Sequence, residues 1–425
     1  MDVGKMILGQ CLLVFCLIDG VYLKKPELKL VHVVYRHGDR SPTKTFPSDR
    51  YQEDAWPQGF GQLSTIGMKT EFQLGEFLRK RYDGFLKTEY DRHEIKVRST
   101  DVDRTLMSAQ SVLAGLYPPS GEQVWNRNIS WQPIPVHTVN LKEDPMLHMG
   151  GACPAYEHLY YSVLKSDVVK EYQRENKEFL DLLREKSGLH NASLYTLMEK
   201  IPDALFCEKQ HNLTLDPWVT DELFEKIWDL KLMEFKIYFY TKKMTKYQAG
   251  VFLYTLVNQT KEYFEGAYKK GPKMFMYSAH DSTLAAILSG LGLWSYQIPP
   301  YSSCIMFELY ENGPKEYSMQ IWFRNSTTQD PAAEPFLLQL DDCSSDCAIS
   351  QFYHLLEDMT IPGLNAWYEE CGISSHDSKF NGNIVAIVIS VVAVIVLFGI
   401  VFLMCYRRKR DYPYHSANFS DPQEA

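Results

Sequence analysis

From Leu28 to Tyr35 the chain is mostly apolar, with Pro26 just before the run and Arg36 just after it. A short, β-branched run of this kind predicts a buried strand. Thr65 to Tyr82 is different. Leu74, Leu78 and Tyr82 recur every fourth residue, which predicts an amphipathic helix. Glu94 to Arg98 is a short strand, with Ile95 and Val97 on one face. Asp103 to Tyr117 is a helix, with Leu106, Leu113 and Leu116 on one stripe and Pro118-Pro119 behind it. Lys273 to Tyr277 and Ser282 to Leu293 repeat the strand-to-helix sequence, and Ile305–Tyr310 and Tyr317–Phe323 form a hairpin with Asn312-Gly313 in its turn. Strand and helix alternate, so the fold class is α/β with a largely parallel central sheet flanked by helices.

The middle of the chain has another texture. From about 154 to 265 it is helical and rich in Lys, Glu, Leu and Tyr, with Val168–Leu183 and Thr220–Lys246 as the clearest helices. This predicts a helical cap inserted into a core made of about 27–140 and 266–373.

The ends read as processing and membrane segments. Lys5 precedes the apolar run Met6–Ile18, too short to span a bilayer, so residues 1–23 are read as a signal peptide. Residues 384–405 carry no charge, enough length to cross a membrane as a helix, and Arg407-Arg408-Lys409-Arg410 follows at once. The positive-inside rule then gives a single-pass type I protein with a stalk at 374–383 and a cytoplasmic tail at 406–425. The ectodomain spans residues 24–373. Of the nine cysteines, six lie in it: Cys153, Cys207, Cys304, Cys343, Cys347 and Cys371. In an oxidising compartment an even set reads as three disulfides, with connectivity left open by spacing. Asn128, Asn191, Asn212, Asn258 and Asn325 are glycosylation sequons on the same side. The net charge of −9 comes with mixed signs and no basic patch outside the tail, so nucleic acid is excluded as a partner.

Three charged motifs lie at predicted strand ends: Arg36-His37-Gly38-Asp39-Arg40-Ser41-Pro42, Arg98-Ser99-Thr100-Asp101-Val102-Asp103-Arg104, and Ser278-Ala279-His280-Asp281. In open α/β sheets, ligands bind beyond the carboxyl ends of the strands. An imidazole between two permanent guanidiniums suits a dianionic group, because arginine forks onto phosphate oxygens. Taken singly, Arg104 could pair with Asp101 on a helix face, and His280-Asp281 could be an ordinary helix start. Together they supply three arginines, two histidines and a carboxylic acid, an inventory suited to phosphoryl transfer.

These motifs, with Trp56–Leu63, Asp103–Ala109 and Trp131–Thr138, resemble the histidine acid phosphatases, in particular the branch of the membrane-anchored lysosomal and the prostatic enzymes. The resemblance implies a phosphoglycerate-mutase-like core and hydrolysis of phosphomonoesters to alcohol and phosphate through a phosphohistidine. It implies His37 as nucleophile, Asp281 as proton donor, and Arg36, Arg40, Arg104 and His280 as phosphate ligands. No metal or other cofactor is required, and an acidic pH optimum follows from the need to protonate Asp281. It also implies the disulfides Cys153–Cys371, Cys207–Cys304 and Cys343–Cys347 and a homodimer with contacts near Trp131. The lysosome is the expected location, with the cell surface as the alternative, since neither Tyr412 nor Tyr414 is followed three positions later by a bulky apolar residue. Competing readings are an inositol- or sugar-phosphate phosphatase of the same branch, and a non-catalytic receptor or adhesion ectodomain.

Overall fold

The computed structural model describes residues 26–148, 153–269, 271–325, 334–373 and 389–404. Strands and helices alternate in the first part: β1 Glu27–Arg36, α1 Thr65–Arg81, β2 Ile95–Ser99 and α2 Asp103–Leu116. Six helices follow: α3 Pro154–Leu164, α4 Asp167–Glu175, α5 Lys177–Ser187, α6 Leu194–Gln210, α7 Asp221–Tyr238 and α8 Lys242–Phe264. The chain then returns through β3 Met274–Ala279, α9 Asp281–Gly290, β4 Cys304–Gly313, β5 Glu316–Arg324, β6 Phe336–Leu338, β7 Cys347–Ala348, α10 Ile349–Leu356 and α11 Gly363–Glu370.

The sheet runs β2-β3-β1-β4-β5-β6, with β7 on β5. It is mixed, not largely parallel. Only β2, β3 and β1 are mutually parallel, while β4 to β7 pair antiparallel. β4, reached through α9 and the segment after it, lies against β1 in the opposite direction, and the short turn to β5 keeps the next pair antiparallel as well. The turn itself lies at Pro314-Lys315. Gly313 and Glu316 are paired, and Lys315 takes the left-handed φ of +63°. Asn312 and Gly313, predicted as the turn, finish β4 beyond a register shift instead.

Residues of β1 alternate between two packed faces. Val31, Val33 and Tyr35 join Leu74, Leu78, Val112 and Leu116 of α1 and α2 in one core cluster. On the other face His32 reaches Gln259 of α8 at 3.0 Å, and Phe252 of α8 packs against Tyr277 and Phe307. The helical stretch therefore divides: α8 covers the sheet, and α3–α7 form the rest. The two long predicted helices are each broken. Asn176 ends α4, its amide donating to Tyr172 O at 3.0 Å. Thr241 caps α8, its hydroxyl accepting from Met244 N at 3.2 Å. Both use short polar side chains that compete with helical backbone bonds.

Cys343 and Cys347 are bridged. Cys153 and Cys371 are each disulfide-bonded. Cys207 and Cys304 are free and buried, which corrects the expected Cys207–Cys304 bridge. The Cys207 sulfur is turned to Arg40 Nη1 at 3.7 Å and the Tyr301 hydroxyl at 3.8 Å, whereas Cys304 is held in β4 opposite Tyr35 and Arg324.

The chain divides into two compact units, 1–367 and 368–425. In the second, residues 389–404 are helical. Among the described residues no helix is long and apolar enough to cross a membrane. The expected span begins and ends outside them, at 384–388 and 405. The signal peptide, the stalk and the tail also lie outside the described residues.

Candidate active site

The register of the parallel strands sets the site. Arg36 pairs with Ala279 and Ser99 with Ser278, so β1, β3 and β2 finish at one level. The residues just beyond are His37, His280 and Thr100. The three motifs found in the sequence therefore meet.

His37 is anchored by its backbone N–H, which donates to Ala279 O at 2.9 Å. Its Nδ1 lies 2.8 Å from Gly38 O. A carbonyl only accepts, so Nδ1 carries the proton and Nε2 keeps its lone pair. Burial, and then the charges of Arg104, Arg36 and Arg40, hold the imidazole well below its ordinary pKa. The shift favours the neutral ring. Gly38 is required by close approach: a Cβ there would lie 2.6 Å from Gly67 O on the first turn of α1. Gly38 N donates to Ser108 Oγ of α2 at 3.1 Å, so the loop after β1 is fastened to both flanking helices.

Two of the three arginines have carboxylate partners. Arg36 Nη2 meets Asp281 Oδ2 at 2.8 Å, its Nη1 donates to Pro299 O at 2.7 Å, and its guanidinium lies 4.0 Å above the Tyr301 ring. Arg40 forks onto Asp203 of α6, at 3.1 and 2.9 Å. Burial alone would raise the Asp203 carboxyl, but the Arg40 charge overrides it and holds it well below the usual range. Arg104, in the first turn of α2, makes no ion pair among the described residues; its Nη1 reaches Gly61 O at 3.4 Å. Burial and the neighbouring Arg40 charge push it down to about 10. The Nε–H groups of Arg36, Arg40 and Arg104 are all buried without a hydrogen-bond partner. Buried donors are nearly always satisfied, so three orphans at one point suit an anion with several acceptor oxygens.

His280 caps α9, so the plain helix-start reading holds for its backbone. Its ring lies 5.5 Å from that of His37, and its Nε2 lies 3.0 Å from Thr100 Oγ1. The Thr105 hydroxyl lies 2.8 Å from Val102 O and 3.0 Å from Thr100 O, so its proton goes to a backbone carbonyl. Thr100 then donates to Thr105 at 2.8 Å, and His280 Nε2–H donates to Thr100. Asp281 opens α9 and accepts from Ser282 N at 2.7 Å as well as from Arg36.

The three motifs omit several residues that the structure adds. Asp203 orients Arg40, Tyr301 packs between His37 and Arg36, and His148 lies 6.2 Å from His280 with a buried, unpartnered Nδ1. Thr100 was inside a recognised motif without a role. Asp203 and Tyr301 carry no local signal, because tertiary packing alone brings them here. Elsewhere, a cavity of about 800 Å³ lies at the opposite end of β1, lined by Leu28, Lys29, Phe85, Tyr263 and Tyr268. Its Lys29 and Lys273 are paired with Glu27, Glu311 and Glu94, and it holds no comparable chemistry.

A family profile for the histidine phosphatase superfamily, branch 2, matches residues 27–324. The chain belongs to that family. It is 41% identical to prostatic acid phosphatase of Homo sapiens over 374 residues, covering 87% of this chain and 94% of that protein. It is 39% identical to lysosomal acid phosphatase of Rattus norvegicus over 423 residues, covering 97% of this chain and 95% of the relative. Among solved structures, the phytase of Hafnia alvei in complex with tartrate aligns with a TM-score of 0.62 over 80% of this chain and 99% of that one, at 17% identity. That likeness is one of fold. His37 stands at the strand end where the arginines converge.

Proposed function

We propose that this protein is an acid phosphatase that hydrolyses phosphomonoesters through a phosphohistidine on His37. The observation that carries the reading is the neutral imidazole with Nδ1–H on Gly38 O and the Nε2 lone pair available, among three arginines with orphan donors. Acid phosphatase relatives covering most of the chain support it.

Nε2 attacks phosphorus in line and the P–O bond to the alcohol breaks. The proton that the leaving oxygen needs comes from Asp281. The Arg36, Arg40 and Arg104 guanidiniums hold the non-bridging oxygens and their developing charge. Phosphate competes with Asp281 for Arg36, whose Nη2 now pairs with the Asp281 carboxylate at 2.8 Å. Water then attacks phosphorus, Asp281 takes its proton, and the P–N bond breaks with imidazole as leaving group. His280 serves phosphate by turning its Nε2–H from Thr100 to a phosphate oxygen.

The decisive experiment traps the intermediate. Acid-quenched enzyme with labelled phosphomonoester should carry label on His37, lost in His37→Ala. Full turnover by that variant would overturn the proposal. The sequence further supports a glycosylated type I membrane protein of the lysosome. Asn128, Asn191, Asn212 and Asn325 are exposed, while the Asn258 amide is tied to Glu262 at 2.8 Å. The exposed Val124, Trp125, Ile129 and Trp131 support a homodimer face, checked by light scattering of Trp131→Arg.

A further inference from the structure

A fourth cation, Lys231, acts on the carboxylates that hold two of the arginines. Lys231 sits on α7, one turn after Trp228. Its side chain is 18% exposed and its ammonium pairs with Glu234 on the same helix. Glu234, 1% exposed, also accepts from the Tyr238 hydroxyl at 2.8 Å, which fixes the carboxylate. An ammonium has three N–H donors. Glu234 takes one, and no second acceptor is in range among the described residues. The Lys231 charge also acts on Asp203 and Asp281, the partners of Arg40 and Arg36.

A row of rings leads to the same place. The Tyr301 ring is 5.7 Å from that of His37, Phe206 of α6 is 6.0 Å from Tyr301, and Trp228 stacks on Phe206 at 4.6 Å. Charge and packing thus both bring the Lys231 turn of α7 to the site.

The direction of the reaction gives this position a meaning. The leaving oxygen must lie against Asp281 to be protonated, so the alcohol extends from phosphorus on the Asp281 side. Resting on the roles proposed above for His37 and Asp281, we infer that Lys231 is a specificity-determining residue, selecting phosphomonoesters whose leaving group carries an anionic substituent of its own. Glu234 positions the ammonium, and the substrate anion takes the remaining donors. The plainer alternative is that Lys231 and Glu234 are only an intrahelical pair holding α7. A structural pair would not distinguish one leaving group from another.

The test compares phenyl phosphate with 4-carboxyphenyl phosphate at pH 5.5, where the benzoate is ionised. The full chain should favour the carboxylated ester in kcat/KM by about fivefold, the size of one solvent-reachable charge pair. Lys231→Met should bring the ratio to about one, and Lys231→Arg should retain the preference. Because Lys231→Met leaves Glu234 buried without its counter-charge, the double variant Lys231→Met/Glu234→Gln is measured too, and its ratio should also be about one. A wild-type ratio of one, or a preference that survives in the double variant, overturns the inference. If wild type hydrolyses neither ester, the acid phosphatase reading falls with it; if phenyl phosphate is hydrolysed and the ratio is one, only the Lys231 inference falls.

Discussion

Two parts of one sheet bury charge and treat it in opposite ways. In the antiparallel half, Glu308 of β4 is 1% exposed and accepts from Arg81 Nε at 2.7 Å, Arg81 Nη2 at 3.1 Å, and the hydroxyls of Tyr82 at 2.7 Å and Tyr310 at 2.9 Å. Both carboxylate oxygens are satisfied. At the carboxyl end of the parallel half, three arginines converge, and among the described residues one has no carboxylate partner and three Nε–H groups have no acceptor. A saturated network fixes structure. An unsaturated one costs stability unless a ligand completes it. Buried charge by itself therefore marks neither function nor stability; the donors left over make the difference.

The largest expected effects separate the two halves. His37→Ala should lower turnover by at least about 10⁴-fold, since it removes the imidazole proposed to accept the phosphoryl group. Its melting temperature should change little, because the ring gives up a single hydrogen bond, Nδ1–H to Gly38 O. Glu308→Ala should do the reverse. It strands Arg81, the buried Tyr82 hydroxyl and the half-buried Tyr310 hydroxyl, and should cost about 3–5 kcal/mol in denaturant unfolding while the folded fraction retains kcat. A catalytic defect in Glu308→Ala without loss of stability would erase the distinction.

Arg104→Gln sharpens it from the other side. The variant removes the one guanidinium without a carboxylate, so kcat/KM should fall about 10²–10³-fold. Stability should hold or rise, since an uncompensated buried charge is gone. A clear drop in unfolding free energy would mean that Arg104 is structural after all.

Much of this contrast was legible in the chain. Each arginine, histidine and acid named at the strand ends is placed where three parallel strands finish together, because strand-to-helix transitions leave local marks: an apolar run, a charged turn, then a helical period. The sheet's other half was read less well. Strand direction depends on which neighbour a returning segment pairs with, and the Asn312-Gly313 signal was two residues from the turn that formed. Asp203 was invisible for a related reason. It lies 163 residues from Arg40, on a helix whose own pattern says nothing of the partner. The Cys207–Cys304 bridge failed on geometry that spacing does not encode.

A smaller effect concerns the acid. Asp281→Asn should slow alkyl esters, whose leaving groups need a proton, at least tenfold more than aryl esters with good leaving groups. Equal losses on both would remove Asp281 as donor. The nucleophile sets the pH range over which this matters. Burial and the arginines keep His37 neutral well below its ordinary value, so the acid limb assigned to His37 in kcat/KM should fall clearly below pH 6.5. A limb near 6.5 would mean that the arginines do not act on it.

The smallest effect on activity, and the most informative for the contrast, is expected at Glu208. This residue of α6 is 2% exposed, one position from Cys207, with an orphan Oε1. Burial, and then Asp49 beside it, push its carboxyl up to about 9. The folded state therefore holds a proton that the unfolded state releases above about pH 4.5. With the folded pKa raised, its contribution to stability is complete below about 4.5 and is lost as pH rises toward 9. Glu208→Gln keeps the shape and cannot titrate. Its unfolding free energy should thus gain on wild type between pH 5 and 8, by on the order of 1 kcal/mol per pH unit, with kcat at pH 5 unchanged. Urea midpoints at the two pH values check this. Parallel curves would show that Glu208 ionises freely in the fold, and that the seam between α6 and the loop after β1 is as saturated as the Glu308 network.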